Sequence, residues 1–172
     1  MTSRSRGSER RRPPLGTSYD DALRRAYEQL ARRARSEAEI RRKLLQEGAD
    51  EAVVDRVVAR LQELRYLDDD AFARARARGL AARGFGPLAA RSKLALAGVP
   101  PHRIEAGVAE AFEREGALAR QALARRLAGR PPGDLERKER ERLLRWLAGR
   151  GFSPSAIRAA FAGDGRGATD PD

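Results

Sequence analysis

Apolar residues in this chain recur every three or four positions, and no stretch alternates apolar with polar as a half-buried strand does. Ala, Leu, Arg and Glu dominate the middle of the chain, so helices are predicted throughout it. A longer pattern lies over this one. It is a leucine, a glycine four residues on, an apolar residue directly after, and a β-branched residue six past the glycine. The copies are Leu44/Gly48/Ala49/Val54, Leu94/Gly98/Val99/Ile104 and Leu147/Gly151/Phe152/Ile157. Each adds an apolar residue four positions further on, at Val58, Val108 and Phe161. A shared period of about 50 residues marks stacked copies of one supersecondary unit.

Each unit divides into three helices with short turns. In the first, Asp20 or Asp21 is expected to cap a helix with the stripe Leu23, Ala26, Tyr27 and Leu30. Ser36 and Glu39 form a capping box opening a second helix through Ile40, Leu44 and Leu45, and Gly48 stops it. Asp50 caps the third, which runs through Val54, Val58, Leu61 and Leu64. In the second unit Asp68 or Asp69 is the cap, Gly84-Phe85-Gly86 the turn before Pro87, and Pro100-Pro101 the opening of the last helix. The third unit starts near Ala117, has a longer Pro- and Gly-rich turn from Gly129 to Leu135, and opens its final helix at Ser153-Pro154. The expected fold is all-α, an elongated tandem array of three three-helix repeats over residues 19–67, 68–115 and 116–162. A disordered basic arm, residues 1–18, and a flexible tail, residues 163–172, flank them.

Composition agrees with thin cores shared between small units. Aromatic residues make up 5% of the 172 residues and charged residues 35%. The formal net charge is +11, and 33 of the 36 basic residues are arginine, the lysines being Lys43, Lys93 and Lys138. This charge is unevenly spread: net +2 over residues 21–67, +1 over 68–115 and +7 over 116–162. A field of this sign favours polyanionic or acidic partners. Arg142 and Arg145, three apart, share a helix face and can present two guanidiniums to phosphates or carboxylates. With Arg137, Lys138 and Arg150 they are candidate contacts, and Arg83, Arg91 and Lys93 form a weaker patch in the second unit.

Other chemistry finds little support. There is no cysteine, so disulfides and thiolate metal sites are excluded. His102 stands alone between a proline pair and Arg103, with no nucleophile or carboxylate constellation near it. Asp68-Asp69-Asp70 reads as a helix cap rather than a cation site. No phosphate-binding P-loop string occurs, and Gly84-Phe85-Gly86 follows a helix rather than a strand. Trp146 takes the place held by Lys43 and Lys93 in the other units, as a packing residue or a surface for a stacked base. The expectation is no enzyme, no metal and no cofactor. No apolar stretch approaches the roughly 20 residues that span a bilayer, and the first residues lack a signal peptide's apolar region, so a cytoplasmic protein is expected.

Several short strings, in this order and spacing, resemble the RecX family, bacterial regulatory proteins of the RecA recombinase. They are Arg35-Ser36 with Glu39, Tyr66-Leu67-Asp68-Asp69 with Phe72-Ala73, Gly84 and Gly86 before the next helix, and Arg150-Gly151-Phe152-Ser153. The resemblance covers about residues 21–161. It implies tandem three-helix repeats and a monomeric, non-enzymatic regulator in recombination, DNA repair and the SOS response. Such a regulator lies along the RecA–single-stranded DNA filament and mostly restrains ATP hydrolysis and strand exchange, with double-stranded DNA a weaker ligand. The alternative is a free-standing helix-turn-helix-like DNA-binding protein. Against it, the third helices open at Asp50-Glu51, Pro100-Pro101 and Ser153-Pro154 rather than on base-reading side chains.

Overall fold

The structure, a computed structural model, describes residues 18–162. Of the arm expected over residues 1–18 all but Ser18, and the whole tail expected over residues 163–172, lie outside the described residues. Nine α-helices and no strand occur among the described residues. They are α1 (Tyr19–Arg32), α2 (Glu37–Gln46), α3 (Glu51–Glu63), α4 (Asp69–Ala82), α5 (Pro87–Leu96), α6 (Pro101–Ala111), α7 (Glu115–Leu127), α8 (Arg137–Gly149) and α9 (Pro154–Ala162). One turn of 3-10 helix, Pro132–Asp134, precedes α8. The helices form two compact units: α1 to α3 without residues 36–38, and α4 to α9 with those three residues.

The repeated Leu–Gly–apolar pattern is a helix-ending device. Gly48, Gly98 and Gly151 are left-handed, with φ of 92°, 78° and 84°. Each donates its N–H to the carbonyl three residues back, and the following apolar residue donates to the leucine carbonyl five back. The latter bonds are Ala49 to Leu44 at 3.1 Å, Val99 to Leu94 at 3.2 Å and Phe152 to Leu147 at 3.3 Å. These are Schellman closures, in which the leucine and the apolar residue are buried together. The structure adds two more. Phe85 donates to Leu80 across Gly84 at the end of α4, and Tyr66 donates to Leu61 across Arg65 at the end of α3.

In the first unit α1 lies on α3, and Ala22, Ala26, Ile40, Leu44, Val54 and Leu61 meet in one core. Tyr27 and Tyr66 close it edge to face at 5.2 Å. Two sequence expectations shift here. α1 opens at Ser18, whose carbonyl accepts from Ala22, so Asp20 and Asp21 sit in the first turn and favour the helix dipole rather than capping it. Leu45 and Leu64 are exposed, because the i, i+4 face already buries Ile40 with Leu44 and Val57 with Leu61.

In the second unit α4 packs on α6 and α7 on α9, with α5 against α4 and α6 and α8 against α7 and α9. Asp68 is the cap of α4, its carboxylate accepting from the Ala71 N–H at 2.9 Å. Asp69 is instead buried and accepts from the Glu37 N–H at 2.9 Å, and burial pushes its carboxyl pKa up. Ser36 donates its hydroxyl to the Ala97 carbonyl. α7 begins at Glu115, slightly earlier than expected, because that carboxylate accepts from both the backbone N–H and the hydroxyl of Ser153, the residue that caps α9.

The second and third repeats are fastened backbone to backbone. The first amides of α5 have no partners within their helix, and the last carbonyls of α8 have none within theirs. Gly86 N–H donates to Arg150 O at 2.8 Å, and Leu88 N–H to Gly151 O at 3.1 Å, which satisfies both ends at once. The approach is so close that a Cβ on Gly86 would lie 2.3 Å from the Gly151 carbonyl oxygen. A Cβ on Gly151 would lie 2.5 Å from Ala89 N. Leu118 packs against the cores of both repeats.

Candidate nucleic-acid interface

The outward face of α8 is set by its spacing. Leu143 and Leu147 are buried in the third core, with Leu144 and Trp146 half-buried beside them. That turns Lys138, Arg142 and Arg145 to solvent together. Their charges are poorly compensated. Glu139 is already taken by Arg130 through hydrogen bonds of 3.1 and 3.0 Å, and Arg142 reaches it only at 4.0 Å. Neither Lys138 nor Arg145 has a carboxylate within 4.0 Å among the described residues. Arg137 differs, since Glu141 one turn on meets it at 3.1 Å.

At its C-terminal end α8 runs into a stack of cations and rings. Lys93 lies over Phe85, with Nζ 5.3 Å from the ring centre, and Arg150 lies over the same ring at 4.7 Å. Arg150 also lies over Trp146 at 5.0 Å, and Arg126 over Trp146 at 5.8 Å. The order is therefore Lys93, Phe85, Arg150, Trp146, Arg126, each cation within reach of a ring's negative face. Arg150 Nη1 donates to Arg83 O at 3.2 Å, and Arg125 Nη1 to Ala82 O at 2.8 Å. Both guanidiniums thus sit on the carbonyl end of α4, where the helix dipole is negative. Between them opens a cleft of ≈ 230 Å³ with Arg83 and Arg126 on its edge.

The structure sorts the sequence candidates into three groups. Lys138, Arg142 and Arg145, with Arg137 partly offset, form the α8 stripe. Arg83, Lys93 and Arg150 come together at the seam, Arg150 being largely consumed by the stack and its carbonyl. Arg91 stands apart. It makes a two-pronged pair with Glu105, both prongs at 2.9 Å, and that hydrogen bonding raises the guanidinium pKa and lowers the Glu105 carboxyl. A guanidinium so neutralised is a weak contact for a polyanion. Sequence reasoning missed Phe85, Arg125 and Arg126 as members of the site. The one signal was Trp146 in place of a lysine, and only the docking of two repeats shows what it stacks with.

Comparison with known proteins assigns the repeats individually. The model for the first three-helix domain of RecX matches residues 22–61, the second 68–108 and the third 115–161. The chain belongs to the RecX family. The regulatory protein RecX of Xanthomonas oryzae pv. oryzae (strain MAFF 311018) is 36% identical over 138 residues, covering 80% of this chain and 85% of that one. That of Geobacillus kaustophilus (strain HTA426) is 36% identical over 155 residues, covering 86% of this chain but only 56% of its own length. The chain thus spans little more than half of the Geobacillus RecX. The crystal structure of RecX from Lactobacillus salivarius superposes with a TM-score of 0.68 at 21% identity, covering 83% of this chain and 93% of that one. A second crystal structure of a regulatory protein RecX gives 0.68 at 26%, covering 81% and 71%. The all-α tandem three-helix architecture is therefore that of RecX, and the family is one of regulatory proteins. No helix among the described residues is long and apolar enough to cross a membrane.

Proposed function

We propose that this RecX-family chain binds the filament that RecA forms on single-stranded DNA and restrains its ATP hydrolysis and strand exchange. It does so as a non-enzymatic monomer in the cytoplasm, with duplex DNA a weaker ligand. The observation that carries the reading is the poorly compensated stripe Lys138, Arg142 and Arg145, leading into the arginine-edged cleft beside Trp146. Exposed cations in a row release counterions when they meet phosphates, and the cleft beside them, edged by Arg83 and Arg126, extends the same positive surface.

The test is the steady-state ATPase of RecA on a long single strand, titrated with the protein. A dose-dependent fall is expected, steeper at low salt. An unchanged ATPase, together with tight binding to one defined duplex sequence, would overturn the proposal in favour of a free-standing helix-turn-helix reader. The openings of the third helices already count against that reader, since Asp50, Pro100 and Ser153 occupy them.

A further inference from the structure

The connection between α7 and α8 is where the third repeat departs from the other two. Residues 33–36 join α1 to α2 and residues 83–86 join α4 to α5, whereas residues 128–136 join α7 to α8. Ala128 and Gly129, with φ of 50° and 95°, turn the chain back, and Pro131, Pro132 and the 3-10 turn stiffen the rest of the connection. The stiffened turn stands off α7 and leaves a pocket of ≈ 280 Å³. Its floor is Leu123, Leu127 and Ala160, all buried in the third core, and residues 129–132 form one wall.

Two properties define the occupant. The volume lies just under the roughly 300 Å³ at which small-molecule sites begin, so it suits one large apolar side chain rather than a cofactor. Arg120 and Arg130 line the same pocket. Arg130 is offset by Glu139, but Arg120 makes only a long hydrogen bond of 3.3 Å to Ala159 O and keeps its other donors for a visitor. The surrounding repeat has a net charge of +7, which repels basic segments and draws acidic ones. The chain's own residues 163–172 include no large apolar side chain to fill it.

We infer that this pocket receives a phenylalanine- or leucine-sized side chain from an acidic segment of a partner protein. Pro131 and Pro132 restrict the freedom of one wall, so less ordering opposes docking, and a single buried anchor supplies most of the affinity. The inference is independent of the α8 stripe and stands or falls without it.

The full-length protein is titrated into fluorescein-labelled peptides of about 12 residues, the length that places one anchor within a short charged frame. One is Glu-rich with a central Phe, one has Ala at that position, and one is Lys-rich with Phe. The acidic Phe peptide is expected to bind about tenfold more tightly than the Ala form, and the Lys-rich peptide weakest. Ala124→Trp fills the pocket from an exposed position on α7 and is expected to remove the Phe advantage while a labelled oligo-dT binds as before. Arg120→Glu is expected to weaken both acidic peptides alike. As a readout free of any variant, amide shifts caused by the acidic Phe peptide should centre on Leu123, Leu127 and Ala160. Equal binding of the Phe and Ala peptides, a Phe advantage that survives Ala124→Trp, a preference for the Lys-rich peptide, or shifts confined to α8 would each overturn the inference.

Discussion

Arg65 stands with φ 57° at a helix end where Gly48, Gly84, Gly98 and Gly151 take the same hand. A side chain there crowds the following carbonyl at a cost of about 1–2 kcal/mol, partly offset because glycine loses more freedom on folding. Arg65→Gly should therefore raise stability by up to about 1 kcal/mol, read as a higher urea midpoint at unchanged slope; a lower midpoint would mean the arginine contributes something its backbone does not reveal. Asp69 carries the second residue-scale expectation. Its carboxyl pKa is raised chiefly by burial, against the opposing hydrogen bond from the Glu37 N–H. An acid whose folded pKa is raised is penalised when ionised. The penalty is absent below the ordinary carboxylate pKa and complete above the raised one, so wild type loses stability as pH climbs through that window. Asp69→Asn, which keeps an oxygen for the Glu37 N–H, should gain on wild type as pH rises from the ordinary carboxylate range upward. Parallel stability curves across that range would contradict it. Neither feature was legible in the chain. Nothing in the letters distinguishes Arg65 from any surface arginine, and Asp68 and Asp69 read as equivalent caps until the fold buried one of them.

Helices and their ends were far more legible, because periodicity and glycine act locally. The three repeated glycines were recognised as stops, and so was Pro87 as a first helical residue. The Leu80/Gly84/Phe85 closure escaped the pattern because Ala90, not a β-branched residue, stands six past its glycine. Contacts between elements were illegible in principle. Gly151 read as a stop alike to Gly98, yet it is also a point of backbone contact with the start of α5. Three variants separate these duties. Gly98→Ala should cost about 1–2 kcal/mol from the left-handed backbone. Gly86→Ala, at an ordinary φ of −92°, should cost about 1–3 kcal/mol from the clash alone. Gly151→Ala incurs both and should be the worst of the three by denaturant unfolding. Equal losses at Gly98 and Gly151 would show that the seam yields without strain.

At the scale of the whole molecule, similar scaffolds carry different charge. The first two repeats hold +2 and +1 against +7 in the third, and much of the first repeat's arginine is spent on nearby carboxylates, as in Arg33 with Glu39 and Arg41 with Asp55. That imbalance was countable from the sequence, but which cations remained unpaired was not, as Arg91 and Arg150 illustrate. Arg142→Ala combined with Arg145→Ala should weaken filament inhibition and lower the slope of log affinity against log salt by about two, one per lost phosphate contact. Inhibition and slope both unchanged in a salt titration would remove α8 from the interface. The stacked seam has a practical corollary. Trp146 is the chain's sole tryptophan, so its ultraviolet emission arises from one spot, between Arg126 and Arg150 and next to Arg145 in the chain. The unlabelled protein thus contains its own optical gauge, whose colour and brightness should register the parting of the second and third repeats and should test the proposed docking of a nucleic acid on α8.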